Sequence, residues 1–315
     1  MDKKDLKIVF FGTPEFAVES LKGLLDADYN VAAVVTLPDK VAGRGHKLLQ
    51  SDVKRFAVSR GIPVLQPEKL KAPEFVEALR AIDADLFIVI AFRMLPEVVW
   101  TMPRLGTFNL HGSLLPKYRG AAPINRAIMN GETETGVTTF FLKHEIDTGD
   151  MIGRRSIPIM PEDNAGTIHD KLMAIGAEMV LETVKDICEG TLESQPQPEG
   201  EFIAAPKIFK EDCEIHWDRP SVEIHNQIRG LSPYPAAFST VIEKSGRPLV
   251  CKIFTSALSE INPEGRASGS ILVDKKRMWV ATGDGMLEII ELQPAGKKRM
   301  SVEAFLMGYH PEKFI

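Results

Sequence analysis

The chain has 315 residues, of which 44% are hydrophobic and 26% charged, with a net charge of −5. That composition supports a packed core in about two domains, and excludes a disordered tail protein, a collagen-like fibre and a small disulfide scaffold. No run of about 18 apolar residues is present, so no membrane span is expected.

MDKKDLKIVFFG passes from charged residues straight into a strand-like run. It lacks the apolar core of a signal peptide, so a cytoplasmic protein is expected. The three cysteines, Cys188, Cys213 and Cys251, form no CxxC pair and read as reduced structural thiols. From Lys207 to Ile315 there are 15 Lys+Arg against 14 Asp+Glu, so the remainder carries −6. A nucleic-acid partner would have to be met by local patches, because no global field favours it.

Along the first half, strand-like and helix-like segments alternate. Ile8–Phe11 is an apolar run ending at Gly12, and Phe16–Leu25 has helical apolar spacing. Val31–Thr36 is again continuous and apolar. Asp52–Arg60 reads as a helix, Pro63–Leu65 as a short strand, and Pro73–Arg80 as a helix with proline in its first turn. Asp85–Ala91 (DLFIVIA) is an apolar run after its leading aspartate, and Thr107–His111 is one more strand. Runs apolar on both faces, separated by amphipathic helices, predict a doubly wound, mostly parallel α/β sheet. Ligands bind such sheets at the carboxyl ends of the strands. The stretches Gly12–Phe16, Ala91–Pro96 and Asn109–Pro116 are therefore singled out.

A long helix is expected at about Thr167–Cys188. Leu192–Phe202 is rich in Pro, Gln and Glu and reads as a linker. Ser221–Gly230 reads as a short amphipathic helix. Five strand-like pieces follow: Ala237–Ile242, Leu249–Ser256, Ser270–Val273, Met278–Ala281 and Leu287–Leu292. They predict a small antiparallel barrel. The expected division is 1–190, a linker 191–206, and 207–315.

Three places could carry chemistry. Asn109 and His111 are two apart on a strand, so both face the same way at a strand end. An Asn amide can donate to a developing oxyanion, and a His can exchange a proton or donate as well. The same spacing also suits a polar strand end with a structurally satisfied His. Asp147-Thr148-Gly149-Asp150 is a turn by composition, with Gly149 available for a positive φ. Asp147 could orient a His there, or the segment could be an ordinary Asx turn. His111, His144 and Asp147 lack metal-ligand spacing, so no metal is expected. Pro38–Leu48 (PDKVAGRGHKL) is Gly-rich and basic, suited to a phosphate backbone or to plain solvent exposure. FFGTPEF is not a GxGxxG fingerprint, so nicotinamide dinucleotide binding has weak support.

IVFFGTPEFAVESL, PDKVAGRGHKL, NLHGSLLPKYRGAAPINRAIMNGETETGVTTF and DTGDM closely resemble the methionyl-tRNA formyltransferases. The resemblance runs essentially end to end. HGSLLP with a downstream DTGD is the mark of folate-dependent formyltransferases, and the AGRGHKL insertion with the second domain marks the tRNA branch. It implies a Rossmann-like catalytic domain and an OB-like tRNA-binding barrel. It implies transfer of the formyl group of 10-formyltetrahydrofolate to the α-amine of methionyl initiator tRNA. Asn109, His111 and Asp147 fall on the catalytic set. Ser113, Leu114, Leu115 and Pro116 fall on the folate segment, and Ile90, Ala91 and Phe92 on the backbone lining the pterin pocket. Arg44, with Lys47 beside it, falls on the loop that meets the tRNA acceptor end. A monomer without a metal is expected.

One departure stands out. After the apolar run ending at Ala91, the family usually has Tyr-Gly followed by Leu or Met, whereas this chain has Phe92-Arg93-Met94. Neighbouring activities share the catalytic core: formylation of glycinamide ribonucleotide or an amino-sugar nucleotide, and hydrolysis of formyltetrahydrofolate. The basic loop and the second domain argue against these. The intact Asn109, His111 and Asp147 argue against a non-catalytic RNA-binding protein.

Overall fold

The computed structural model describes residues 2–42, 47–199 and 202–315. In chain order the first elements are β1 (Lys7–Gly12), α1 (Glu15–Asp26), β2 (Asn30–Val35), β3 (Lys40–Ala42), β4 (Lys47–Leu49), α2 (Asp52–Ser59), β5 (Val64–Leu65) and α3 (Pro73–Ile82). There follow β6 (Leu86–Ile90), α4 (Glu97–Trp100), β7 (Thr107–His111), β8 (Arg119–Gly120), α5 (Pro123–Met129), β9 (Glu134–Phe141), β10 (Met151–Pro158) and α6 (Ala165–Glu189). Then come β11 (Ala204–Ala205), α7 (Ser221–Leu231), β12 (Ala237–Glu243), β13 (Pro248–Ser259), β14 (Ile271–Asp274) and β15 (Arg277–Ala281). β16 (Met286–Pro294), β17 (Met300–Ser301), α8 (Val302–Gly308) and β18 (Pro311–Phe314) complete the chain.

The continuous apolar runs become the centre of a seven-stranded sheet, in the order β10-β9-β7-β6-β1-β2-β5. β1 pairs in parallel with β2 and β6, β6 with β7, and β2 with β5, whereas β9 runs antiparallel to β7. The chain moves outward from β1 to β2 and β5, then returns to lay β6 on the other side of β1. That reversal makes a switch point between β1 and β6, where ligands of such sheets bind. Gly12 pairs with Ile90, and Ile90 with Leu110, so β1, β6 and β7 end at one edge. One face of the sheet is sealed by Val9, Phe11, Val35, Phe87 and Val89 against Phe75, Val76 and Leu79 of α3. Each such side chain, fully buried, contributes about 1.5–3 kcal/mol.

Two compact units are formed: Met1–Gly120 with Gly136–Ile157 and His169–Ala204, and Ala121–Thr135 with Pro158–Ile168 and Ala205–Ile315. Long-range packing thus draws two segments of the first half into the second unit. Their join is close at Gly230 of α7, where a Cβ would lie 2.5 Å from Met129 Cγ and 3.0 Å from the carbonyl oxygen of Asn125. The Asn125 side-chain amide donates to the Gly230 carbonyl at 2.7 Å.

The second unit carries the antiparallel path β14-β15-β16-β13-β12-β18, with β17 on β16. Ser270 bridges Lys313, which brings the two ends of the path together into a nearly closed barrel. Its interior is Ile224 and Ile228 of α7, Val241, Ile253, Val280, Leu292, and Phe305 of α8, with Trp217 beside them. The indole N–H of Trp217 donates to Ser239 Oγ at 2.9 Å, so the one polar group it buries is satisfied. Cys188, Cys213 and Cys251 are buried thiols outside any disulfide; burial pushes the Cys251 thiol up to about 12. Among the described residues no helix is long and apolar enough to cross a membrane.

Candidate active site

β7 places Asn109 opposite Phe140 of β9, and His111 opposite Thr138. Strand parity therefore sets both side chains on one face at the carboxyl edge, as their spacing predicts. His111 is buried, and its ring lies edge-on to Phe140 at 6.4 Å. Its Nε2 is 2.8 Å from the carbonyl oxygen of Tyr118. A carbonyl only accepts, so Nε2 carries a proton and Nδ1 is the nitrogen left for chemistry. Nδ1 lies 3.9 Å from Asp147 Oδ2, beyond hydrogen-bond length. The ring is thus oriented by the Tyr118 carbonyl, and the carboxylate stands off from Nδ1. Asn109 Oδ1 is buried and has no hydrogen-bond partner. The amide NH2 is the end able to donate to an oxyanion.

Asp147 itself has a left-handed backbone, φ +55°. A non-glycine residue there is strained by about 1–3 kcal/mol unless its surroundings hold it. The Gly120 N–H donates to its Oδ2 at 3.0 Å, and the Gln197 side-chain amide donates to its carbonyl at 2.7 Å. Gly149 does not take the positive φ expected of it; that conformation falls on Asp147. Its glycine is required for a different reason. A Cβ at Gly149 would sit 1.5 Å from the carbonyl oxygen of Phe141, so the turn can close onto β9 only with hydrogen there.

Residues 6–184 match the model for formyl transferase, and residues 207–310 that for the formyl transferase C-terminal domain. The chain belongs to the formyl transferase family. A methionyl-tRNA formyltransferase of Bacteroides fragilis is 55% identical over 98% of this chain and 97% of its own length. One of Porphyromonas gingivalis is 47% identical over 98% and 97%. Among solved structures, WlaRD, a sugar 3N-formyl transferase in the presence of dTDP and 5-N-formyl-THF, matches with a TM-score of 0.64 and 22% identity. The match covers 93% of this chain and 99% of that chain. HypX from Aquifex aeolicus in complex with tetrahydrofolic acid matches with a TM-score of 0.64 and 19% identity, over 95% of this chain and 46% of that chain. These two likenesses show the formyl transferase fold alone.

The remaining residues expected to serve formyl transfer fall into three groups. In HGSLLP, the Ser113 hydroxyl donates to the Lys117 carbonyl at 2.7 Å, and Thr138 Oγ1 donates to the Ser113 carbonyl at 2.7 Å. Leu115 is buried with Phe140 and Met151. Ser113 and Leu115 thus shape the loop from inside, while Leu114 and Pro116 stay half-buried. After β6, Ile90 is wholly buried, Ala91 is exposed with φ +47°, and Phe92 packs edge-on against Phe11 at 5.7 Å. The left-handed position of this turn is Ala91, not Arg93, so replacing glycine at 93 strains nothing. Arg93 instead donates to the Glu68 carbonyl at 2.8 Å and to the Pro67 carbonyl, under partial burial that lowers its pKa. In the basic loop, Lys47 begins β4, which pairs with β3, and Arg44 lies outside the described residues. At the loop's base Lys54 pairs with Asp39 at 2.5 Å, which with Gln66 holds that carboxyl below its usual range.

Sequence reasoning missed Tyr118 and Gln197. Tyr118 acts through its carbonyl, which every residue has, so residue type carried no signal. Gln197 lay in a stretch dismissed as linker, where a Gln between two prolines (Pro196 and Pro198) was the only hint.

Proposed function

We propose that the chain transfers the formyl group of 10-formyltetrahydrofolate to the α-amine of methionyl initiator tRNA, as a monomer in the cytoplasm. End-to-end identity of 55% to a methionyl-tRNA formyltransferase, including the second unit, carries this reading. We assign formyl transfer to residues 1–190 and tRNA recognition to 207–315, joined by 191–206, with Arg44 and Lys47 meeting the acceptor end.

The folate supplies a formyl group activated on N10. An orphaned acceptor at Asn109 Oδ1 and an exposed backbone at Ala91, both at the carboxyl edge, suit a ligand rich in N–H groups. The α-amine attacks the formyl carbon, forming a C–N bond while the carbonyl π pair moves to oxygen. Asn109 donates to that oxyanion through its NH2. His111, fixed through Nε2, takes the amine proton on Nδ1. The resulting imidazolium faces Asp147, whose carboxylate stabilises it across the 3.9 Å gap. Collapse of the tetrahedral carbon breaks the bond to N10, and the proton on Nδ1 passes to N10 directly or through a water. Donors already placed where charge develops need no reorganisation, and each supplies about 3–4 kcal/mol of barrier lowering.

The test is incubation of the full chain with 10-formyltetrahydrofolate and charged initiator tRNA. Formyl-methionine on the tRNA is expected. Formylation of glycinamide ribonucleotide or an amino-sugar nucleotide in its place, or release of formate alone, would overturn the reading.

A further inference from the structure

We infer that Gln197 is a positioning residue that holds Asp147 in register with His111. The inference rests on the catalytic reading of His111 and Asp147 given above. Residues 193–199 are exposed except Gln197, which is half-buried. Its side-chain NH2 donates twice, to the Asp147 carbonyl at 2.7 Å and the Gly149 carbonyl at 3.0 Å. Its Oε1 accepts from Arg119, from Nε at 3.2 Å and also from the second guanidinium nitrogen. One amide therefore uses both ends, one on the turn that carries Asp147 and the other on the segment that follows Tyr118.

The backbone on either side is tied to the same two places. Met151 and Gln195 exchange N–H···O bonds at 2.8 and 2.9 Å, and the Tyr118 N–H donates to the Ile203 carbonyl at 2.6 Å. Arg119 lies over the Phe202 ring at 5.7 Å. Tyr118 is the residue whose carbonyl fixes His111. Gln195 and Gln197, with Phe202 and Ile203, thus form ties to the two segments that hold the imidazole and the carboxylate. Gln197 is the central tie, because Asp147 has a left-handed backbone that the turn would otherwise relax.

The donor is what matters. Gln197→Glu keeps the length and the Arg119 contact but turns an oxygen toward two carbonyls. Gln197→Ala removes both ends. In the full chain, both variants are expected to lower kcat for methionyl-tRNA formylation about 10- to 100-fold, since misplacement of this size acts on geometry. KM for 10-formyltetrahydrofolate should stay within about twofold and the melting temperature near wild type, because the side chain is half-buried and its bonds run to Arg119 and to the turn that carries Asp147. Adding Gln197→Ala to Asp147→Asn should lower kcat no further than Asp147→Asn alone, since one effect runs through the other. A fully active Gln197→Glu beside a disabled Asp147→Asn would overturn the inference. So would losses that multiply in the double variant, because Gln197 would then act elsewhere. If Asp147→Asn itself kept full kcat, the catalytic reading would fall and the role of Gln197 with it.

Discussion

The barrel and the carboxyl edge of the parallel sheet differ in how most of their buried polar groups are used, although Trp279 Nε1 and Arg229 Nε of the second unit also lack a hydrogen-bond partner. In the barrel, Trp217 meets Ser239, Ser239 meets the Ile315 carbonyl, and the charges lie on the outside as pairs such as Arg277 with Glu288. Interior residues such as Phe305 and Leu292 carry no polar atom. At the carboxyl edge of the parallel sheet, polar groups are buried without being fully used. Asn109 Oδ1 has no partner, and His111 Nδ1 stops short of Asp147. Buried polar groups satisfied as Trp217 and Ser239 are add stability; a strand edge that leaves some open keeps them available to a ligand. Substitution in the barrel should therefore show in melting, and substitution at the edge in turnover.

Phe305→Ala tests the first half of that contrast. The ring is wholly buried and stacks on Tyr309 at 4.7 Å. A loss of about 3–5 kcal/mol is expected in denaturant unfolding, with folate KM per folded molecule unchanged. A small loss would mean the barrel interior is not the stabilising element described. His111→Ala and Asn109→Ala come next, each expected to lower kcat about 100-fold or more while unfolding is little altered. Near-normal turnover in either would remove that residue from the mechanism.

His225 sharpens the comparison, because it is the second unit's own half-buried imidazole. Burial first, then the Arg229 charge, pushes its pKa down to about 4 from 6.5, and its Nδ1 lies 2.9 Å from Ser256 Oγ. The unfolded chain therefore binds this proton at higher pH than the folded one. Stability must fall as pH drops from about 6.5 toward 4, by about 2–3 kcal/mol at most from this group. Unfolding curves of His225→Gln should show a shallower acid slope than wild type; parallel slopes would show that the group does not titrate as described. The smallest effect is expected at Arg44. Arg44→Ala should raise KM for methionyl-tRNA, leave folate KM alone, and reduce the slope of log K against log salt by about 0.7–0.9. An unchanged salt slope would leave the loop without a phosphate contact.

Much of this was legible along the chain, and the reasons differ by element. Apolar runs such as Leu86–Ile90 read as parallel strands because both faces are covered. Asn109 and His111 read as a pair because a strand has period two. Segments 121–135 and 158–168 carry no sign that they join the second unit, since that depends on long-range packing such as α5 on Gly230. Gly149 was readable as necessary but not for its reason: a composition rule suggests a positive φ, whereas the structure needs room beside Phe141. Tyr118 and Gln197 act through a carbonyl and through contacts with carbonyls, which no pattern of side chains reveals.

Asn109 also bears on how this chain would drift. A buried acceptor without a donor costs about 1–3 kcal/mol, and an apolar side chain of similar shape removes that cost. Asn109→Leu should then melt higher than wild type while losing activity. Under the role proposed for Asn109, stability and catalysis pull this position in opposite directions, and only continued demand for formyl transfer keeps the amide. In a descendant released from that demand, position 109 is a place where the fold gains by forgetting its chemistry.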